Sequence, residues 1–180
     1  MSESLQSTYG PLLEALSFAA RAHRHQVRKD GQTPYYAHVV RVCLIVRHVF
    51  GIDDPNVLMA AALHDTIEDT PTDFDDLDEK FGQQVAHWAA DLCKDMRKPE
   101  KEREAEYVAH LVTAPWQVKV CKLADIFDNL MDSKHLSQQQ RERTLRRSRT
   151  YLDAIKTNLP RELRSAYEMV ERLLAEVGAV

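Results

Sequence analysis

Glycine is scarce in this chain, with five in 180 residues, and cysteine is scarcer, with three. No alternation of apolar and polar residues lasts more than a few positions, which argues against a β-rich fold. Cys43, Cys93 and Cys121 lie far apart inside apolar stretches and form no C-x-x-C pair. They read as buried, reduced thiols of a cytoplasmic protein. No run of eighteen apolar residues exists, so no membrane span is expected. Met1 to Gly10 is polar and carries no signal-peptide core. An excess of positive charge is missing too: 24 Lys and Arg face 28 Asp and Glu, for a net charge of −4. That balance, with no interleaving of aromatic and basic residues, argues against a nucleic-acid polymer as partner. Local basic clusters can still hold small anions. The absence of a G-x-S-x-G elbow, and of a partner at readable spacing from any cysteine, argues against a Ser or Cys nucleophile.

What the chain does have is a helical period. Leu12, Leu13, Leu16, Ala19 and Ala20 make the apolar stripe of a first helix running to about Val27. Residues 28–34 have the composition of a turn. A second helix covers about Tyr36 to Phe50 and stops at Gly51. Asp53-Asp54-Pro55 then supplies a carboxylate cap and a proline for the first turn of a third helix, about Asn56 to Asp65. That helix is apolar nearly all round, which predicts a central position. A short acidic helix follows over Thr72 to Phe81, its Asp73, Asp75, Asp76 and Asp78 forming a solvated surface. Further helices are predicted over Gln83 to Lys94, Pro99 to Val112 and from Pro115, with two more split by Pro160. With no linker or internal repeat, residues 1–180 are expected to form one all-α domain, a bundle of about eight or nine helices.

Chemistry concentrates where buried helices deliver charge. The third helix, after a nearly continuous apolar run, ends in His64-Asp65, followed by Glu68-Asp69. If that helix continues, His64 and Glu68 share one face and Asp65 and Asp69 another. His38 opens the second helix, and Asp125 lies on the apolar helix Val118 to Asp125. Buried ions need a partner. Two imidazoles and two carboxylates suit a borderline divalent cation such as manganese, iron or zinc. Such a cation polarises a phosphoryl oxygen and makes a nucleophile available near neutral pH. Glu68 and Asp69 are then placed to position water and move protons. The remaining histidines, His23, His25, His48, His87, His110 and His135, have no such context and are expected at the surface or partly packed.

With these residues in view, the sequence resembles the HD-domain phosphohydrolases, whose H…HD…D signature is matched by His38, His64-Asp65 and Asp125. The stretch from Phe18 to His38, the segment Ala61-Ala62-Leu63-His64-Asp65-Thr66-Ile67-Glu68-Asp69-Thr70 and the segment from Lys122 to Leu130 are similar to the RelA/SpoT hydrolase branch. The resemblance runs from about residue 12 to residue 155. In length it is similar to the stand-alone small alarmone hydrolases of the metazoan SpoT-homologue type. It implies manganese-dependent removal of the 3′-pyrophosphate from guanosine tetra- or pentaphosphate, a small nucleotide substrate. It implies His38, His64, Asp65 and Asp125 as metal ligands and Glu68 and Asp69 as the catalytic pair. Arg28 and Lys29 would clamp the nucleotide, Asn129 would bond near the ribose, and Arg147 and Tyr151 would approach the substrate. For Arg147 a solvated basic face, shared with Arg141, Arg143, Arg146 and Arg149, is an equal alternative.

The chain departs from the branch at Val39, where proline is usual, at Leu92-Cys93-Lys94-Asp95, and at Asp128, an added acid that is tolerable near a polyanion only if it points away. These departures bear on base and ribose preference, so an adenosine alarmone or NADPH stands as an alternative substrate. A non-catalytic nucleotide-sensing HD domain is the reading from another class. The sequence is silent on oligomeric state.

Overall fold

The computed structural model describes residues 5–179, with side chains from residue 9 onward. Among these residues there is no β-sheet; one isolated antiparallel bridge joins Val27 to Pro34. Nine helices of eight residues or more and a one-turn helix follow each other in the order α1 (Leu5–Ala22), α2 (Tyr36–Leu44), α3 (Pro55–Leu63), the one-turn α4 (Thr66–Asp69), α5 (Phe74–Phe81), α6 (Gln83–Asp91), α7 (Glu100–Thr113), α8 (Trp116–Met131), α9 (Gln138–Lys156) and α10 (Arg164–Gly178). The all-α bundle expected from the helical period is what forms.

The central helix is α3, as its all-round apolar surface requires: Val57 to Leu63 are all buried, and α3 packs on α1, α2, α6 and α8. Its start is set locally. Asp54 Oδ1 accepts from the backbone N–H groups of Asn56 (2.8 Å) and Val57 (3.3 Å), and Pro55 occupies the first turn. Such a cap contributes about 1 kcal/mol. The apolar side chains fall into two clusters. One gathers α1, α2, α3, α5 and α6; the other gathers α7, α9 and α10. Helix α8 serves both, giving Val118, Val120, Cys121 and Ala124 to the first and Leu123, Ile126 and Leu130 to the second. Asp125 therefore emerges from the seam between them.

Lys119, 1% exposed, reinforces this seam. Its Nζ donates to the carbonyls of Val112 (3.1 Å) and Thr157 (2.8 Å), at the C-terminal ends of α7 and α9. Carbonyls left unpaired at a helix C-terminus are a natural seat for an ammonium group.

Three boundaries differ from the sequence expectation. Helix α1 ends at Ala22 rather than near Val27, because His23 turns inward and residues 23–26 form a turn. The last turn of the second helix widens to a π-turn over Ile45–Val49, closed by Phe50 N–H to Ile45 O and by Gly51 at φ +74°. The third helix breaks after Leu63, with Asp65 at φ −107°, ψ 0°, before the separate turn α4. The uninterrupted helix on which the shared faces of His64 with Glu68 and Asp65 with Asp69 depended is thus absent. All three cysteines are free; Cys43 and Cys121 are buried and Cys93 is partly so. No described helix is long and apolar enough to cross a membrane.

Candidate metal centre and cleft

The site lies where the C-terminal end of α3, the start of α2 and the middle of α8 meet. The break after Leu63 is what turns Asp65 into it. His64 Nδ1 donates to the Ala61 carbonyl at 2.8 Å, so its Nε2 is the nitrogen that faces the site. His38, on the first turn of α2, directs Nε2 to within 3.2 Å of His64 Nε2. Asp65 Oδ2 lies 2.8 Å from His64 Nε2 and 3.6 Å from His38 Nε2. His38, His64 and Asp65 each bring one ligand atom within 4.8 Å of the others. Asp125 closes the group from α8, its Oδ1 at 3.3 Å from His38 Nε2 and 3.9 Å from His64 Nε2. The four residues are thus brought together from three helices.

Electrostatics sharpen the arrangement. Burial opposes charge on His38, but its bonds to Asp125, Asp128 and Asp65 outweigh this and raise the imidazole to about 10. His64 is buried as well, and Asp65 moves it upward. Burial also opposes ionisation of Asp65, yet His64 and His38 hold its carboxyl well below the usual range. For Asp125 burial is outweighed by Lys122 and the two imidazoles, again downward.

The donor set fits a divalent metal on this geometry. With Nδ1 committed to a carbonyl, His64 Nε2 faces Asp65 Oδ2 at 2.8 Å, a contact that either a proton or a metal cation between the two atoms bridges. The separations of 2.8 to 3.9 Å between each imidazole Nε2 and the Asp65 and Asp125 oxygens are those of neighbouring ligands on one ion with bonds of about 2.0–2.2 Å. Two imidazoles and two carboxylates match manganese, iron or zinc in ligand type.

Beside this group opens a cleft of ≈ 240 Å³ lined by Arg28, Lys29, Asp65, Glu68, Asp69, Asp125, Asn129, Arg147 and Tyr151, among others. Every candidate residue except the inner imidazoles His38 and His64 therefore lines one cavity. Glu68 is held in place: Lys94 gives it a backbone N–H at 2.9 Å and its ammonium at 3.3 Å. Asp69 reaches solvent at the rim. Partial burial, then the charges of Asp65 and Glu68, push its carboxyl up to about 6.

Arg28 sits in the loop that the Val27–Pro34 bridge pinches off. Asp30 shapes that loop by accepting from the N–H groups of Gln32 and Thr33, both at 2.9 Å. The Arg28 guanidinium is 8% exposed and anchored by Asp132 (2.9 Å) and by Asn129 Oδ1 (3.0 Å). Lys29 next to it is exposed. Asn129 Nδ2 donates to Asp125 Oδ1 at 2.5 Å, so this amide links the metal group to Arg28. Across the cleft, Tyr151 donates to Glu104 at 2.5 Å, and Arg147 pairs with Glu100 (3.2 Å) and Glu104 (3.4 Å). Arg147 is thus a half-buried residue that lines the cleft and also shares Glu100 with the exposed Arg143.

Several residues the sequence reading missed also belong here. Tyr35 donates to Asp65 Oδ2 at 2.5 Å and fixes it. Lys122 is buried, its Nζ 2.8 Å from Asp125 Oδ2 and 5.2 and 5.0 Å from the ring centres of Tyr107 and Tyr151. The i, i+3 spacing of Lys122 and Asp125 on an apolar helix was the available signal. His23, expected near the surface, is 2% exposed, its ring 4.9 Å from that of Tyr35. Desolvation lowers its pKa. Asp128 points away from the cleft interior, toward His38 Nδ1 at 2.6 Å. His25, His48, His87 and His135 are exposed and His110 partly so, as expected.

The sequence profile of the HD domain matches residues 15–152. The guanosine-3′,5′-bis(diphosphate) 3′-pyrophosphohydrolase MESH1 of Danio rerio is 42% identical over 127 residues, covering 70% of this chain and 71% of that protein. Its Homo sapiens counterpart is 44% identical over 122 residues, covering 67% and 68%. A solved structure described as a metazoan ortholog of SpoT that hydrolyzes ppGpp superposes with a TM-score of 0.81 at 30% identity, over 96% of this chain and 97% of that one. With the profile spanning most of its length and relatives above 40% identity, this chain belongs to the HD domain family.

Proposed function

We propose that this chain is a cytoplasmic, manganese-dependent phosphohydrolase that removes the 3′-pyrophosphate from guanosine tetra- or pentaphosphate, giving pyrophosphate and GDP or GTP. The observation that carries the proposal is one cleft joining a His-His-Asp-Asp group to a Glu-Asp pair and several cations. The similarity to the named pyrophosphohydrolases selects the substrate. Three free cysteines suit a reducing compartment.

His38, His64, Asp65 and Asp125 would hold the metal, which when bound supplies Lewis acidity and an acidified water for attack on phosphorus. Tyr35 and Lys122 orient the two carboxylates through Asp65 Oδ2 and Asp125 Oδ2. Glu68, fixed by Lys94, accepts the proton of the attacking water. Asp69, with a carboxyl at about 6, carries a proton in part of the molecules near neutral pH and gives it to the departing 3′-oxygen. Arg28 and Lys29 grip the nucleotide. Asn129 keeps one N–H and one lone pair free beyond its bonds to Asp125 and Arg28, enough for a ribose hydroxyl. Arg147 and Tyr151 wall the far side.

The test is product identification. Phosphorus NMR of guanosine tetraphosphate incubated with the protein and manganese is expected to show pyrophosphate and GDP. Release of orthophosphate instead would overturn the assigned bond cleavage. Faster turnover of an adenosine alarmone or of NADPH in the same assay would move the substrate and leave the chemistry.

A further inference from the structure

We infer that Asp128 is a positioning residue of the metal centre, holding His38 in the orientation and tautomer that presents Nε2 to the ion. This rests on the reading of His38 as a metal ligand. Asp128 follows Asp125 by one turn on α8 and is 3% exposed. Its Oδ2 accepts from His38 Nδ1 at 2.6 Å. Its two oxygens also take the fork of Arg41, Nε to Oδ1 at 2.6 Å and Nη2 to Oδ2 at 3.2 Å, and Arg28 Nη2 stands 3.6 Å away. A buried carboxylate is costly unless paired, and this one is paired on every side.

The consequence follows from the valence of imidazole. A carboxylate at Nδ1 holds a proton there, so the proton that a metal displaces is the one at Nε2, while the carboxylate's charge makes the Nε2 lone pair a stronger donor. His64 receives the same tautomer from a neutral carbonyl, that of Ala61. The centre is therefore asymmetric, with an anionic support behind one imidazole only. The acid that seemed misplaced beside a polyanionic substrate is spent on His38 and neutralised by Arg41. Because Arg28 keeps Asp132 and Asn129 as partners, removing the Asp128 charge acts first on the metal and little on the nucleotide.

The experiment is calorimetric titration of manganese into purified wild type, Asp128→Asn and Asp125→Ala at one pH, with circular dichroism to confirm folding. Loss of such a support costs about ten- to 100-fold in metal affinity, and that weakening is expected for Asp128→Asn. Unchanged affinity in Asp128→Asn, with Asp125→Ala no longer binding, would overturn the inference and leave the metal site standing. A wild type that binds no manganese would overturn the site and the inference together. A residue that merely packed would alter thermal unfolding without moving the affinity of the folded protein. Should Asp128→Asn fail to fold, Arg41→Gln removes the fork that aims the carboxylate. It is expected to weaken manganese several-fold, and equal binding would overturn the inference.

Discussion

The Nε2 atoms of His38 and His64 face each other at 3.2 Å, with Asp65 and Asp125 oxygens beside them. Both imidazoles are raised, His38 to about 10, so His38 carries its second proton in the metal-free protein at neutral pH. Ligands must give up their protons to bind a metal. Manganese binding at pH 7 is therefore expected to release about one proton per ion. Because the imidazole pKa values are raised, affinity should strengthen as pH rises from 6 toward 9. Titration calorimetry in buffers of differing ionisation enthalpy reads this directly, and binding without proton release would contradict the arrangement.

Glu68 and Asp69 line the cleft, and neither carboxylate comes within 4 Å of a ring nitrogen of His38 or His64, as those of Asp65 and Asp125 do. Glu68→Gln is expected to bind manganese as wild type does and to lose about 10²- to 10⁴-fold in turnover. Near-normal turnover would remove Glu68 from proton transfer. For Asp69 the sign is set by its raised carboxyl: the protonated form declines as pH rises through about 6. An acid in that role gives a rate that falls on the alkaline side, and Asp69→Asn should lose that limb of the profile.

Lys122 and Asp125 form a buried pair at 2.8 Å. Lys122→Met leaves the Asp125 carboxylate without its nearest cation. Breaking a buried pair from one side costs about 3–5 kcal/mol, and urea unfolding of the metal-free variant should show a loss of that order. Manganese is expected to restore part of it, since an ion at the site supplies the missing positive charge. Equal destabilisation with and without the metal would speak against Asp125 as a ligand.

Lys119 bonds the ends of two helices and is not among the residues lining the cleft. Lys119→Ala leaves two buried carbonyls unpaired and opens a cavity. A loss of about 2–4 kcal/mol is expected in urea titration, with manganese affinity unchanged. A neutral result would show that water satisfies both carbonyls.

Much of this was legible in the sequence because it depends on local pattern. The apolar run from Val57 to Leu63 had to be central, and a His-Asp pair at its end could not be left without a partner. The Asp54-Pro55 start and the Gly51 stop follow from backbone chemistry within a few residues. What stayed hidden depends on where a side chain turns after long-range packing. His23 sits among Arg24, His25 and Gln26 and looks polar, yet the chain bends there and stacks it on Tyr35. The break after Leu63 comes in a segment of good helical pattern, and it is what brings Asp65 to His38. The direction of Asp128 is set by His38 and Arg41, some ninety residues earlier, which no local pattern records.

The most direct test of the account is turnover of guanosine tetraphosphate by the purified protein with added manganese, followed by release of pyrophosphate and GDP. Rapid turnover that a chelator abolishes and manganese restores is expected. Persistent turnover in the chelator, or none with manganese demonstrably bound, would contradict it.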